Sequence, residues 1–287
     1  MIPTLTLHSE QDASINYVFE QNVGKFEARY VQRSPEYAIV YLSSHVGCDL
    51  SCKFCHLTQT GQTETIQAEL DEYFAQAYHV MKNIKFTPEL KMIHYNFMAR
   101  GDALDNDYLI YNPSKLFQHL DLLSKANNVE SRFLISTIIP KHFNDGQLLK
   151  IFKDPRVSLY YSLYSLDYAF RKKWLPKALD PFVALDLLKE LQEVNDTKIV
   201  LHWAFIEGQN DSEQSVIDIC NEVNQRGLNV RFNLVRYNPH NEKCGKESSE
   251  ETLLKLLDIF NTMLPDQKHK MVQRVGFDVK ASCGMFV

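Results

Sequence analysis

Residues 37–55 read Tyr37-Ala38-Ile39-Val40-Tyr41-Leu42-Ser43-Ser44-His45-Val46-Gly47-Cys48-Asp49-Leu50-Ser51-Cys52-Lys53-Phe54-Cys55. The apolar, β-branched run at 37–42 has the pattern of a buried strand, and a thiol-rich loop follows it directly. The same order of apolar strand, loop and amphipathic helix recurs down the chain. Strands are expected at 37–42, 92–98, 132–136, 157–163, 198–205 and 229–235. Helices fit at 65–82, 115–126, 145–152, 182–193, 211–226 and 249–264, and two starts carry capping-box spacing, Asn210 with Glu213 and Ser248 with Glu251. Such repeated units predict an α/β chain closed into a partial barrel. In barrels of this kind the chemistry sits on loops beyond the strand C-termini, where Cys48 to Cys55 fall. Ahead of the barrel, residues 5–33 read as β-rich with a turn at Asn22-Val23-Gly24. The expected division is an N-terminal β-rich extension, 1–36, and a core with a C-terminal catalytic segment, 37–287.

Composition limits what the thiol loop can mean. A chain of 287 residues with 45% hydrophobic content can bury one large core. Its net charge of −5 supplies no overall positive field, so any contact with a phosphate backbone needs a local basic patch. The N-terminal Met1-Ile2-Pro3-Thr4-Leu5-Thr6 lacks a charged-then-apolar leader, and no apolar run reaches membrane-spanning length. A cytoplasmic protein with no membrane partner is the expectation. Six cysteines, three of them within eight residues, suit metal ligation in a reducing compartment better than a disulfide framework.

Cys48, Cys52 and Cys55 form a CxxxCxxC spacing with Phe54 before the last thiol. Thiolates are the usual ligands of iron–sulfur clusters, and one loop with this spacing can hold three irons of a [4Fe–4S] cluster and leave the fourth open. The alternative is a zinc site with His56 or a distant group as fourth ligand.

The thiol loop resembles that of the radical S-adenosylmethionine (SAM) superfamily, in which SAM chelates the open iron and is cleaved to a 5′-deoxyadenosyl radical. Over nearly the whole chain the resemblance is to the RlmN/Cfr family of adenine C2 and C8 methyltransferases. It implies a partial (β/α)6 TIM-like radical SAM barrel, with a [4Fe–4S] cluster and SAM as cofactors. Ser43 to Cys48 resemble that family's approach to the cluster. Gly101 and Asp102, in Phe97-Met98-Ala99-Arg100-Gly101-Asp102, stand where the family binds the SAM amine, with Asp102 for Glu. Ser136, the run Ser162-Leu163-Tyr164 and Asn238 correspond to further SAM contacts, with Tyr164 where His is usual, and Phe54 joins them beside the cluster. The segment 276–284 resembles the one that carries the family's methylated cysteine, here Cys283. Glu27 falls one residue out of register with a proposed proton acceptor; an ordinary strand carboxylate is its other reading.

Two departures bear on function. The family's second cysteine, seven residues before the first cluster ligand, is Tyr41 here, and a phenol can move a proton but cannot close a disulfide. The resemblance starts at the β-rich extension, so the helical accessory domain of the family's RNA methyltransferases is not expected here. Basic runs at Arg171-Lys172-Lys173-Trp174 and at 268–270, with Tyr160, Tyr161, Tyr164 and Tyr168 nearby, suit either phosphate contact or a solvated helix face. Cys244 is a loop thiol that stands in for the missing cysteine or is there by chance, and Cys220 lies at core spacing on its helix. Three functions follow. The first is a methyltransferase that uses Cys283 as methyl carrier to an sp² carbon of adenine, in RNA or a related nucleotide. The second is a radical SAM enzyme that abstracts hydrogen directly from another substrate. The third is a non-catalytic iron–sulfur protein. Either enzyme implies SAM and a one-electron reductant such as flavodoxin or ferredoxin as partners.

Overall fold

The computed structural model describes residues 1–143 and 145–287. Ten strands form one sheet in sequence order, β1 (Leu5–His8), β2 (Ile15–Glu20), β3 (Lys25–Ser34), β4 (Tyr37–Tyr41), β5 (Met92–Phe97), β6 (Glu130–Thr137), β7 (Val157–Ser162), β8 (Lys198–Trp203), β9 (Val230–Leu234) and β10 (Lys270–Met271). From β1 to β4 neighbours pair antiparallel, and from β4 to β10 they pair parallel. All six expected barrel strands are present. A further short parallel strand, β10, begins at the end of the polar stretch Lys268-His269-Lys270, where neither alternation nor length marks it. The extension is continuous with the barrel, because Arg29 pairs with Tyr41 and Val31 with Ile39.

The helices are α1 (His56–Gln59), α2 (Leu70–Lys82), α3 (Asp107–Tyr111), α4 (Pro113–Lys125), α5 (Leu148–Ile151), α6 (Tyr168–Trp174), α7 (Pro181–Asn195), α8 (Glu213–Arg226) and α9 (Glu250–Met263). Among the described residues none is long and apolar enough to cross a membrane. The helix expected at 65–82 begins only at Leu70, because the preceding residues run extended and bridge His45 through Gln67. Its start carries the capping box, Glu69 with Glu72. The two boxes expected elsewhere are displaced: Ser212 caps α8 and Ser249 caps α9, each accepting from a backbone N–H three residues on. Asn210 instead holds loops together through Tyr164 and Ala204 carbonyls, and Ser248 donates to Asp211. The expected helix at 145–152 shortens to a 3₁₀ turn and the four residues of α5.

Alternation along the parallel strands sorts side chains to two faces. Ile93, Tyr95, Phe97, Phe133, Leu201 and Phe232 face the helices and form the main core, with Phe232 stacked on Phe260 of α9 at 4.1 Å. The opposite residues, among them His94, Asn96, Arg132, Ser158, Tyr160 and Asn233, line a cavity of about 1010 Å³ running through the barrel. A closed (β/α)8 barrel fills that space with branched apolar side chains. This bore is polar and open.

Candidate active site

The cysteine loop leaves the C-terminal end of β4 and is fixed by its backbone. Cys48 N–H donates to Gln62 O at 3.0 Å, Lys53 N–H to Trp174 O at 3.0 Å and Cys55 N–H to Cys52 O at 3.0 Å. Gly47 is required before the first thiol, because a Cβ there would lie 2.7 Å from Gln62 O and 2.8 Å from Glu64 O. Ser51 takes φ 60°, strain of the kind that gathers at sites and is held by its surroundings. Cys48, Cys52 and Cys55 are free, half-buried thiols, and Cys48 and Cys52 pack against the cluster that holds Leu50, Tyr164 and Trp174. Burial raises the pKa of all three, that of Cys55 to about 11, and the thiols lie close enough to raise one another's. Among the described residues no group of three or more His, Cys, Asp or Glu is placed to hold a single metal ion. A tetrahedral zinc needs such convergence on one point. In a cubane each thiolate takes a separate iron, so spaced thiols in one loop fit that donor set.

Cys283 reaches the same place from the C-terminal segment. Gly276 turns the chain at φ 60°, where a Cβ would meet that of Ala281 at 2.6 Å, and Ala281 N–H donates to Gly276 O at 2.7 Å. Three bonds then hold the loop around the thiol: Arg29 Nη2 to Met285 O at 2.6 Å, Asn238 Nδ2 to Cys283 O at 2.9 Å, and His56 N–H to Gly284 O at 3.0 Å. Cys283 opens onto the cavity, its sulfur deep enough that burial raises the thiol, against the opposing effects of the Arg29 charge and a hydrogen bond with Tyr164. Tyr164, at φ 59°, links the two loops, with its ring 4.9 Å from Phe54 and its hydroxyl beside Cys283.

Ser136, Ser162, Tyr164 and Asn238 line the cavity near Cys283. Asn238 Oδ1 is buried there without a partner. Leu163 does not face it: the side chain is in the core and the N–H bonds Tyr161 O and His202 O. Gly101 lies under His45, whose Nδ1 would be 2.3 Å from a Cβ, and its φ is 83°. Asp102 is buried with both carboxylate oxygens in use, Oδ1 accepting from Leu104 N–H and Oδ2 from Ile138 N–H, each at 2.9 Å. Burial raises its pKa to about 6, opposed by those bonds. The shorter carboxylate thus caps the turn at 103–105 and ties β5's loop to that of β6.

No family model matches the chain. A dual-specificity RNA methyltransferase RlmN from Aliarcobacter butzleri is 26% identical over 261 residues, 88% of this chain and 67% of that protein. The RlmN of Campylobacter jejuni is 25% identical over 301 residues, 98% of this chain and 80% of its own. Against the Wolinella succinogenes RlmN the chain spans 65% of the relative's length, at 28% identity. A radical SAM methyltransferase from Sphaerobacter thermophilus superposes with a TM-score of 0.81 at 19% identity, over 99% of this chain and 80% of that one, which establishes the fold. Over most of its length the chain is similar to RlmN-type RNA methyltransferases, and its fold is that of a radical SAM methyltransferase.

In this RlmN-like chain the remaining expected residues take unequal positions. Tyr41 is half-buried on the wall of the cavity, beside Asn96 in the sheet. Glu27 lies outside the cavity and is fully buried. Its Oε1 accepts from Arg100 Nη1 at 2.8 Å and Val287 N–H at 3.0 Å, and its Oε2 from Arg29 Nη2 at 3.1 Å and Asn16 Nδ2 at 3.0 Å. A proton acceptor must present a lone pair to substrate. Glu27 instead neutralises two buried guanidiniums. Those guanidiniums are the site residues sequence reading missed. Arg100 also donates to Val46 O at 2.9 Å in the cysteine loop, and Arg29 lies 4.7 Å over the Phe286 ring. The pair joins the cysteine loop to the Cys283 segment. Arg171, in the visible basic run, turns inward to the Leu163 and Leu179 carbonyls, while Cys220 and Cys244 are buried away from the cavity lining.

Proposed function

We propose that the chain is a radical SAM methyltransferase that uses Cys283 to carry a methyl group to an sp² carbon of adenine, in RNA or a related nucleotide. The observation that carries this reading is the meeting of Cys283 with the cysteine loop at one end of a polar bore, through Tyr164. The names of the curated relatives, RNA methyltransferases, support the class of substrate. Cys48, Cys52 and Cys55 would hold a [4Fe–4S] cluster, and Ser136, Ser162 and Asn238, which line the cavity, would meet SAM. When bound and reduced by a donor of the flavodoxin or ferredoxin kind, the cluster would supply the electron that cleaves SAM to methionine and the 5′-deoxyadenosyl radical.

Cys283 gives up its thiol proton and takes a methyl group from one SAM, with S-adenosylhomocysteine leaving. It then gives one hydrogen atom of that methyl to the 5′-deoxyadenosyl radical, and the methylene carbon left on its sulfur bonds to the substrate carbon. Arg29, beside the thiol, favours its ionised form. Asn238 aims the loop through the Cys283 carbonyl. The adduct radical must then lose the proton from the substrate carbon and break its sulfur–carbon bond. The released methylene takes up a proton to become the methyl group, and Tyr41 can pass that proton. The Cys283 thiyl left behind needs one electron from the reductant to return to thiolate, because Tyr41 cannot capture it as a disulfide.

That substitution favours one second reading, in which the radical takes hydrogen directly from substrate and Cys283 is not methylated. Methyl-labelled SAM given to the reduced, cluster-loaded protein with cellular RNA or adenine nucleotides separates the two. Label in an adenine base is expected. Formation of 5′-deoxyadenosine with no label in either pool would overturn methyl transfer.

A further inference from the structure

The far end of the bore has a chemistry that the cysteine end does not use. The cysteine loop follows the C-terminal end of β4. Arg33 is near the end of β3, which runs antiparallel to β4; Arg132 is third in β6, Arg231 second in β9 and Lys270 first in β10. Arg33, Arg132 and Arg231 therefore lie toward the N-terminal mouth of the parallel strands, Lys270 stands opposite Asn233 further along β9, and all four line the cavity. Among the described residues none has a carboxylate within ion-pair distance, whereas Arg29 has Glu27 and Arg236 and Arg274 have Glu247. Asp196, exposed at the rim, is the one carboxylate on the described cavity wall.

Among the described residues, neutral groups beside these cations are also unpartnered. Arg231 Nε is buried with no acceptor, and its Nη2 reaches only the Tyr160 hydroxyl at 3.5 Å. His202, 8% exposed, packs edge-on to Tyr160 and makes no hydrogen bond through its ring. Asn233, 5% exposed, makes no side-chain hydrogen bond and leaves Oδ1 buried and bare. Buried polar groups are otherwise nearly always paired. Burial and the charges of Arg231 and Arg33 lower the pKa of both His202, to about 3, and Lys270. Four unpaired cations in a chain of net charge −5, beside idle buried donors, make a built place for an anion.

We propose that this end of the bore binds a phosphate group, and that the substrate is held with its phosphate there and its base toward Cys283. Guanidiniums present paired N–H donors that match phosphate oxygens, and a dianion suits four cations better than a carboxylate does. Size agrees with this. Strands of five to six residues span roughly 17–20 Å, and a cavity of about 1010 Å³ lies at the top of the usual range for one ligand, so SAM and a nucleotide fit end to end. That the phosphate belongs to an adenine nucleotide rests on the function proposed above. The anion site itself does not.

Calorimetry on cluster-loaded protein with SAM tests it, using inorganic phosphate, adenosine, adenosine 5′-monophosphate and a short adenine-containing RNA as probes. The monophosphate is expected to bind about tenfold or more tighter than adenosine and to be displaced by inorganic phosphate. Arg231→Gln and Arg132→Gln should each weaken the monophosphate by about tenfold, the loss of one charge-assisted bond. SAM and adenosine should be unaffected, and Arg231→Lys should recover part. Folding of each variant is checked by its unchanged SAM affinity. Equal binding of monophosphate and adenosine, with inorganic phosphate inert and both Gln variants unchanged toward every probe, overturns the site. Adenosine binding alone leaves the base reading standing and removes the phosphate site. If inorganic phosphate binds in an Arg231-dependent way and no adenine compound does, the anion site stands and the adenine reading fails. Arg231-dependent binding of the RNA but not the monophosphate assigns the phosphate to an RNA backbone.

Discussion

The side-chain amide of Asn238 donates a 2.9 Å hydrogen bond to the main-chain carbonyl of Cys283, joining the loop after β9 to the C-terminal segment. Asn238→Asp keeps the shape and replaces the donor with an acceptor facing that carbonyl. A loss of about 1–3 kcal/mol is expected, together with faster alkylation of Cys283 by a small thiol reagent. Thermal unfolding and peptide-resolved labelling measure both. Unchanged labelling would mean that Asn238 does not hold the Cys283 loop.

Among the described residues Glu27 is the only carboxylate paired with Arg29 and with Arg100. Glu27→Gln leaves two guanidiniums buried without neutralisation, at a cost of about 3–5 kcal/mol. Because Arg29 and Arg100 also hold Met285 and Val287 carbonyls, proteolysis within 276–287 should accelerate before the barrel unfolds. Limited digestion followed by mass analysis reads this. A variant that loses activity without loosening the segment would restore Glu27 as a proton acceptor.

Gly101→Ala sets a Cβ 2.3 Å from His45 Nδ1 at a φ of 83°. The left-handed backbone alone costs about 1–2 kcal/mol, and the clash pushes His45, three residues before Cys48. Lower melting temperature and reduced iron content are expected. Replacing His45 with Ala in the same chain should recover part of both, since the ring contact goes while the 2.9 Å contact with the Cβ of residue 45 and the backbone strain stay. No recovery would show that the clash plays no part.

Cys48→Ala, Cys52→Ala and Cys55→Ala should each abolish cluster absorbance and SAM cleavage, whereas Cys220→Ala and Cys244→Ala should retain both. Iron, sulfide and zinc analysis of anaerobically prepared protein checks this. Stoichiometric zinc without sulfide would return the loop to the zinc reading.

What the sequence disclosed followed from how local each feature is. Three thiols in one loop, and apolar runs longer than four residues, are visible in the chain without any contact map. The clamp of Glu27, Arg29 and Arg100 is not, because Arg100 lies 73 residues from Glu27 and all three look like ordinary strand and loop charges. The phosphate site is hidden more thoroughly. Arg33, Arg132, Arg231 and Lys270 each contribute one inward side chain from a different strand, and only the closing of the sheet assembles them. In the conspicuous run at 171–173, Lys172 and Lys173 are exposed as a solvated helix face expects, whereas Arg171 turns inward to carbonyls. Asp102 illustrates a third limit. Its place in the chain matched a SAM-binding position, while its short side chain is spent on two backbone N–H groups that only the tertiary structure brings near.

The most direct measurement is peptide mass analysis of the anaerobically reconstituted protein after incubation with SAM and a reductant. Methyl transfer through Cys283 predicts one added methyl group on the peptide that contains it, absent from Cys283→Ser and present in Tyr41→Phe. An unmodified Cys283 in a sample that is forming 5′-deoxyadenosine would contradict it.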